Sequence, residues 1–220
     1  MRRVWITRTQ PQADATATRL RAMGFEPVVA PVLVSRPVAG ADIDLSGIEA
    51  LAFTSAAGAR AFADLSPARD LPVFAVGEAT GEAARGIGFG AVQIGGGDVH
   101  ALAAMIADTG PDRILNPSAR EPAADLVALL ATLGVSARSV IVYETVPTEV
   151  AAPTDIDAVL VHSPRAARIV AHLISPERAR ALKAFAISEA AAAPLRALPF
   201  ASIATTPFPD EANLLSLLEG

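Results

Sequence analysis

Short apolar runs punctuate the chain, each followed by small or hydroxylated residues and then by a stretch whose apolar positions fall at helical spacing. The runs at 4–7 (VWIT), 50–54 (ALAFT), 73–76 (VFAV), 113–115 (RIL), 158–162 (AVLVH) and 184–187 (AFAI) are apolar on alternate and on successive positions. Strands with no polar side suit a parallel sheet buried on both faces. Helices are expected at about 11–22, 57–64, 79–86, 99–107, 121–132, 165–173, 190–197 and 210–218. Further strands are expected after Gly24-Phe25, Gly88-Phe89 and Gly134-Val135, where each glycine ends a helix in the left-handed conformation. Strands alternating with helices mean parallel sheets with right-handed crossovers, and such folds bind ligands at the carboxyl ends of their strands.

The pattern occurs twice, and the two copies are interleaved. The opening RRVWITRTQPQADATATRLRAMGFEPVVAPVLV recurs as DRILNPSAREPAADLVALLATLGVSARSVIVYETV, so that Arg3 matches Arg113 and Gly24 matches Gly134 at an offset of 110. LAFTSAAGARAF recurs as VLVHSPRAARIV, with Ser55 and Ser163 separated by 108. VFAVGEATGEAARGIGF recurs as AFAISEAAAAPLRALPF, placing Glu78 opposite Glu189 at an offset of 111. A period of this size is that of a domain, so two similar domains flanking a cleft are expected. The non-repeating, proline-bearing seams at 30–40 and 140–153 place the first domain at about 1–35 plus 148–220. The second is then inserted whole at about 38–144, with linkers at about 33–38 and 141–148.

Composition narrows the function. Hydrophobic residues make up 52% of 220 and mean hydropathy is +0.41, yet no apolar run reaches the roughly 18 residues of a membrane span. The first residues lack the apolar core of a secretion signal, so a cytoplasmic protein is expected. A net charge of −5 argues against a nucleic-acid partner, which needs clustered basic surface. With no cysteine and a single lysine, Lys183, placed between a helix and a strand, thiolate chemistry has no candidate and Schiff-base and P-loop lysine chemistry almost none.

The turns after the strands remain: 7–11, 54–58, 77–81, 95–99, 116–120, 162–166, 188–192 and 206–210, rich in small residues and hydroxyls. Helix starts offer free backbone N–H groups and the positive end of the helix dipole, so eight such turns around one cleft favour a polyanionic ligand. Taken singly, Ser55, Ser163 and Asp98 read as helix caps worth about 1 kcal/mol each. The glycines at 86, 88 and 90 and at 95–97 lack the spacing and strand context of a dinucleotide site. His100, His162 and His172 have no metal-ligand spacing; His162, at a strand end beside Ser163, could touch a ligand but reads better as a polar residue at the rim. Glu78 and Glu189 read as structural carboxylates at helix starts. Tyr143, the only tyrosine, sits in the second seam, where a phenol could serve as a proton donor or as a packed core residue.

In succession, TRTQPQADATATRLRAMGF, FTSAAGARAF, VGEATGEAARGIGF, VYETV and HSPRAAR resemble the uroporphyrinogen-III synthase family, over the whole chain and in order. The resemblance implies an α/β fold of two flavodoxin-like parallel-sheet domains joined by a two-stranded linker, the first domain discontinuous. It implies a lyase that closes hydroxymethylbilane into uroporphyrinogen III, inverting the terminal ring and losing water, with no metal or organic cofactor. The expected partners are that small-molecule substrate and, in passing, the preceding pathway enzyme, with no nucleic acid or membrane, and the protein is expected to be a monomer. Matched residue by residue, Tyr143 is the linker tyrosine that assists departure of the hydroxyl, Thr80 the threonine of the VGxxT turn, and Ser163 with Pro164 the SP turn. Thr7, Arg8, Ser55, Ala56 and Ser188 fall on the other cleft-facing turns. The chain departs from the family pattern at Ser188, Ala191 and Ala119. A non-catalytic clamp for an anionic tetrapyrrole is the alternative from another class, and a sugar-nucleotide transferase would need a diphosphate site that the turns do not show.

Overall fold

The computed structural model describes residues 2–219. In chain order the first elements are β1 (Arg3–Ile6), α1 (Gln12–Ala22), β2 (Glu26–Val29), β3 (Leu33–Pro37), β4 (Ala50–Phe53), α2 (Ala56–Leu65), β5 (Val73–Ala75) and α3 (Glu78–Gly86). They continue with β6 (Val92–Ile94), α4 (Val99–Thr109), β7 (Arg113–Ala119), α5 (Leu126–Thr132) and β8 (Ser136–Pro147). The last are β9 (Ala158–Val161), α6 (Pro164–Leu173), α7 (Pro176–Ala179), β10 (Lys183–Ala186), α8 (Glu189–Ala192), β11 (Ser202–Thr205) and α9 (Glu211–Ser216). The chain divides into two compact units, Met1–Val34 with Val146–Gly220, and Ser35–Thr145.

The discontinuous unit holds a sheet in the order β11-β10-β9-β1-β2, all of its pairs parallel. Counted along its own chain, this is the 2-1-3-4-5 order of a doubly wound sheet. The period-2 alternation of the strands sends side chains to two separate cores. Trp5 and its register partner Val159 join Val161, Ala184, Val170 and Leu195 under α6, while Val4, Ile6, Leu160 and Phe185 meet Leu20 of α1 and Leu214 of α9. Trp5 is fully buried, and its indole N–H donates to the Ala30 carbonyl at 2.7 Å, which removes the cost of an unpaired donor in the core.

The continuous unit repeats the plan with its chain reconnected. Its sheet runs β3-β8-β7-β4-β5-β6. If β7 is counted first, then β8, β4, β5 and β6, the order is again 2-1-3-4-5, as the interleaved repeat requires. Leu102, Ile106, Leu126 and Leu130 of α4 and α5 cover one face; Ala59, Phe62 and Ala84 of α2 and α3 cover the other. Phe53, Phe62 and Phe89 form an aromatic group there with centroids 5.9–6.1 Å apart, Phe53 and Phe62 edge to face and Phe89 tilted against both. Arg36 pairs with Glu144, Ser35 with Thr145, and Val38 donates to Val142; these partners run in opposite order along β3 and β8, the mark of antiparallel pairing.

Gly24, Gly88 and Gly134 have φ of 83°, 104° and 80° and stop α1, α3 and α5, as their positions predict. Three expectations are corrected. The helix expected from 121 begins only at Leu126, because Pro122 interrupts the run and Asp125 caps the helix by accepting from the Ala128 N–H at 3.0 Å. Residues 116–119 are not a turn but the second half of β7, paired with β8 through Ser118 and Ile141. There Asn116 is buried and satisfied, donating to the Ala52 carbonyl at 2.8 Å and accepting from Ser139 at 3.3 Å. Lys183 opens β10 rather than preceding it.

Candidate functional site

In the continuous unit the carboxyl ends of β4, β5, β7 and β8 surround a groove of about 450 Å³. Thr54 and Ser55 line it from the end of β4, Asp98 from the start of α4, Glu121 from the segment before α5, and Tyr143 and Thr145 from β8. Ser55 is extended at φ −158° and ψ 151°, and its hydroxyl accepts from the Gly58 N–H at 3.0 Å. The cap therefore consumes one of the first N–H groups of α2, and Ala56 begins the helix beside the groove. Asp98 caps α4 more completely, accepting from the His100 and Ala101 N–H groups at 2.8 and 2.9 Å.

Tyr143 reaches the groove through an irregularity in β8. Val140 packs with the α2 side of the sheet, so strict alternation would send residue 143 to the other face. The ladder shifts between Ser118 and Ala119, setting Ala119 opposite Tyr143, and this bulge turns the ring toward α2. Its hydroxyl lies 2.9 Å from Ser55 Oγ. The backbone there is tethered as well, since the Arg120 N–H donates to the Tyr143 carbonyl at 2.9 Å. Next to it, hydrogen bonds from Arg36 and Arg120, at 2.9 and 2.8 Å, hold the Glu144 carboxyl below the usual carboxylate range. Thr80 lies apart from the groove lining, buried as the third residue of α3.

In the discontinuous unit the matching strand ends carry Thr7, Arg8, Ser163, Pro164 and Ser188. Thr7 is fully buried and donates to the Leu160 carbonyl at 2.6 Å, so its hydroxyl ties β1 to β9 and is committed within the sheet. Arg8 is half-buried, ion-paired to Glu211 of α9, which also bonds Thr16. Ser163 repeats the geometry of Ser55 at φ −160° and ψ 154°, accepting from the Ala166 N–H at 3.1 Å, with Pro164 at the first helical position. Ser188 caps α8 by accepting from Ala191 at 3.3 Å. Beside Arg8, both ring nitrogens of His162 are buried without a hydrogen-bond partner among the described residues, and burial, aided by the Arg8 charge and opposed by Glu211, lowers the imidazole to about 4. Glu189 is held by Arg196 and Thr205, and Glu78 lies 3.8 Å from Arg85, both at helix starts.

Ser55 and Tyr143 are separate candidates in the sequence, and the fold brings them into contact. Gly58 is not among the candidates, and 121–124 is not helix, which Pro122 already signals. Among the described residues no group of three or more His, Cys, Asp or Glu is placed to hold a metal.

The family model described as uroporphyrinogen-III synthase HemD matches residues 14–216. Comparison with individual curated protein sequences finds no match. Among solved structures, the uroporphyrinogen-III synthetase of Helicobacter pylori is similar at 17% identity, covering 100% of this chain and 99% of its own, with a TM-score of 0.67. A mutant uroporphyrinogen III synthase of the extremely thermophilic bacterium Thermus thermophilus is similar at 15% identity, with 100% and 98% covered and a TM-score of 0.53. Those likenesses establish the fold, and the family model, spanning nearly the whole sequence, establishes that this chain belongs to the uroporphyrinogen-III synthase family.

Proposed function

We propose that this protein closes the linear tetrapyrrole hydroxymethylbilane into uroporphyrinogen III, a cyclising hydro-lyase step of haem biosynthesis. The observation that carries this reading is the family match over residues 14–216. The chemistry asks little of the protein: an electron-rich pyrrole expels the neighbouring hydroxyl as water, and the chain must hold one folded shape of the substrate. That demand fits strand-end turns built from caps and small residues. Ser55, Ser163 and Ser188 each engage the N–H group three residues on, and we assign the earlier amides of those helices, with Ala56 and Pro164 beside them, to the substrate carboxylates. Thr80, buried in the first turn of α3 after β5, supports the corresponding helix start, and the turn of Thr7 and Arg8 contributes main chain and one cation. We assign Tyr143 the proton that leaves with the hydroxyl.

The test is to supply hydroxymethylbilane, oxidise the products and separate the isomers. A type III product is expected; type I alone, as from spontaneous closure, would mean a binding protein without the activity.

A further inference from the structure

Ser55 is placed to do more than cap a helix. Its Oγ accepts from the Gly58 N–H at 3.0 Å and lies 2.9 Å from the Tyr143 hydroxyl. A serine hydroxyl carries one hydrogen and two lone pairs. Two arrangements are open: the phenol donates to the serine and the serine hydrogen faces the groove, or the serine donates to the phenol and the phenol hydrogen faces it. A phenol is much the stronger acid, and only the second arrangement leaves its proton free. It also makes a chain from Gly58 N–H to Ser55 O–H to Tyr143 O–H, in which each bond polarises the next and the last oxygen gains a donor as it turns into phenolate.

A second observation concerns the contact itself. A Cβ on residue 58 would stand 2.8 Å from the Pro117 carbonyl oxygen, 3.4 Å from Ser55 Oγ and 3.6 Å from the Tyr143 ring. The missing side chain lets the first turn of α2 come close enough for Ser55 to touch the phenol. The other copy supplies the comparison. At the matched positions it has Ala166 and Leu33, and its Ser163 caps α6 with no phenol to address. Glycine and tyrosine thus depart from the repeat together, at two positions in contact.

We propose that Ser55 is the positioning residue of the reaction, donating to the Tyr143 oxygen so that the phenol proton points into the groove. This rests on the reading of Tyr143 as proton donor. In the step itself the Tyr143 O–H bond breaks and its proton joins the substrate hydroxyl. The carbon–oxygen bond breaks with its electrons leaving in water, the pyrrole nitrogen supplies the electron pair, and the phenolate stays bonded to Ser55.

Because Tyr143 is the only tyrosine, the Raman Fermi doublet of the protein reports one phenol. The parent protein should show the intensity ratio of a phenol that accepts a hydrogen bond, and Ser55→Ala should lose it; a donor's ratio in the parent overturns the proposal. Ser55→Ala should lower kcat roughly tenfold with KM little changed, on the scale of one hydrogen bond, and Ser55→Thr should restore most of it. Ser175→Ala removes a like cap from α7 and should leave turnover unchanged, separating helix capping from the effect on the phenol. In a Tyr143→Phe background Ser55→Ala should cost nothing further. If it costs as much there as in the parent, Ser55 does not act through Tyr143 and this assignment alone fails. If Tyr143→Phe is as fast as the parent, the reading of Tyr143 fails and takes this one with it.

Discussion

Tyr143 and His162 are two polar rings at strand ends with opposite surroundings. Tyr143 has a hydroxyl partner and lines a groove, so Tyr143→Phe should slow turnover by roughly 10²-fold, the lower end of general-acid effects, while the product stays mainly type III. A switch to type I in isomer-resolved assays would give the ring a part in folding the substrate instead. The His162 ring nitrogens have no hydrogen-bond partner among the described residues, and burial pushes the folded imidazole down to about 4, from 6.5 for an ordinary histidine. Between those values the unfolded chain binds a proton that the folded chain refuses, so stability rises with pH across this window and is lost as pH falls through it. The loss should be on the order of 2–3 kcal/mol. Denaturant unfolding from pH 7 to 4 should show it, and His162→Phe should flatten the profile; an unchanged slope would locate the acid sensitivity elsewhere. Ser163→Ala removes a cap with no phenol attached, and kcat/KM should fall only by the equivalent of 0.5–1.5 kcal/mol, about one hydrogen bond. Complete loss of activity would show that the side chain itself is essential.

At the scale of the element, two glycines are required for different reasons. Gly134 ends α5 at φ +80° with nothing within 4 Å of a Cβ, so Gly134→Ala strains only the backbone, by about 1–2 kcal/mol. Gly58 sits inside α2 with ordinary helical backbone, but a Cβ there would press on the Pro117 carbonyl. Gly58→Ala must push the first turn of α2 away from β7, at about 1–3 kcal/mol. The two variants should lose comparable stability in urea, yet only Gly58→Ala should also depress kcat, because only that glycine lies between Ser55 and Tyr143. Equal kcat values would mean that the turn yields without moving the serine.

At the scale of the molecule, the continuous unit is self-sufficient in its core. The clusters around Ile106 and Phe62 cover both faces of its sheet and draw only on residues from 43 to 140. A protein of residues 35–145 should therefore fold alone, with one cooperative unfolding transition by circular dichroism. Residues 1–34 should not, since Val4, Ile6 and Trp5 are buried against Leu160, Val159 and Leu214 from the far end of the chain. A fragment of 35–145 with no cooperative transition would mean that its sheet depends on the rest of the chain. The interleaving also explains how one repeat yields one strand order with two connectivities: the strands keep their neighbours while the chain enters each unit at a different place.

Local physics was legible in the sequence. Apolar runs without a polar side marked the parallel strands, glycine before an apolar residue marked the stops of α1, α3 and α5, and serine before a helical pattern marked the caps at Ser55 and Ser163. These features depend on neighbours within a few residues, and the local order of residue types states them. What depends on distant partners was not legible. The residues 116–118 continue β7 because β8 lies alongside to receive their hydrogen bonds, and Thr7 is removed from the surface because the Leu160 carbonyl stands 2.6 Å away. Arg8 is drawn to Glu211, 203 residues along the chain. Tyr143 and Ser55, 88 residues apart, meet because a bulge turns one strand and a glycine admits one helix. Sequence determined which groups were available; only the packing of strands and helices decided which of them touch, since a hydrogen bond forms over about 3 Å and its partners are chosen by the fold.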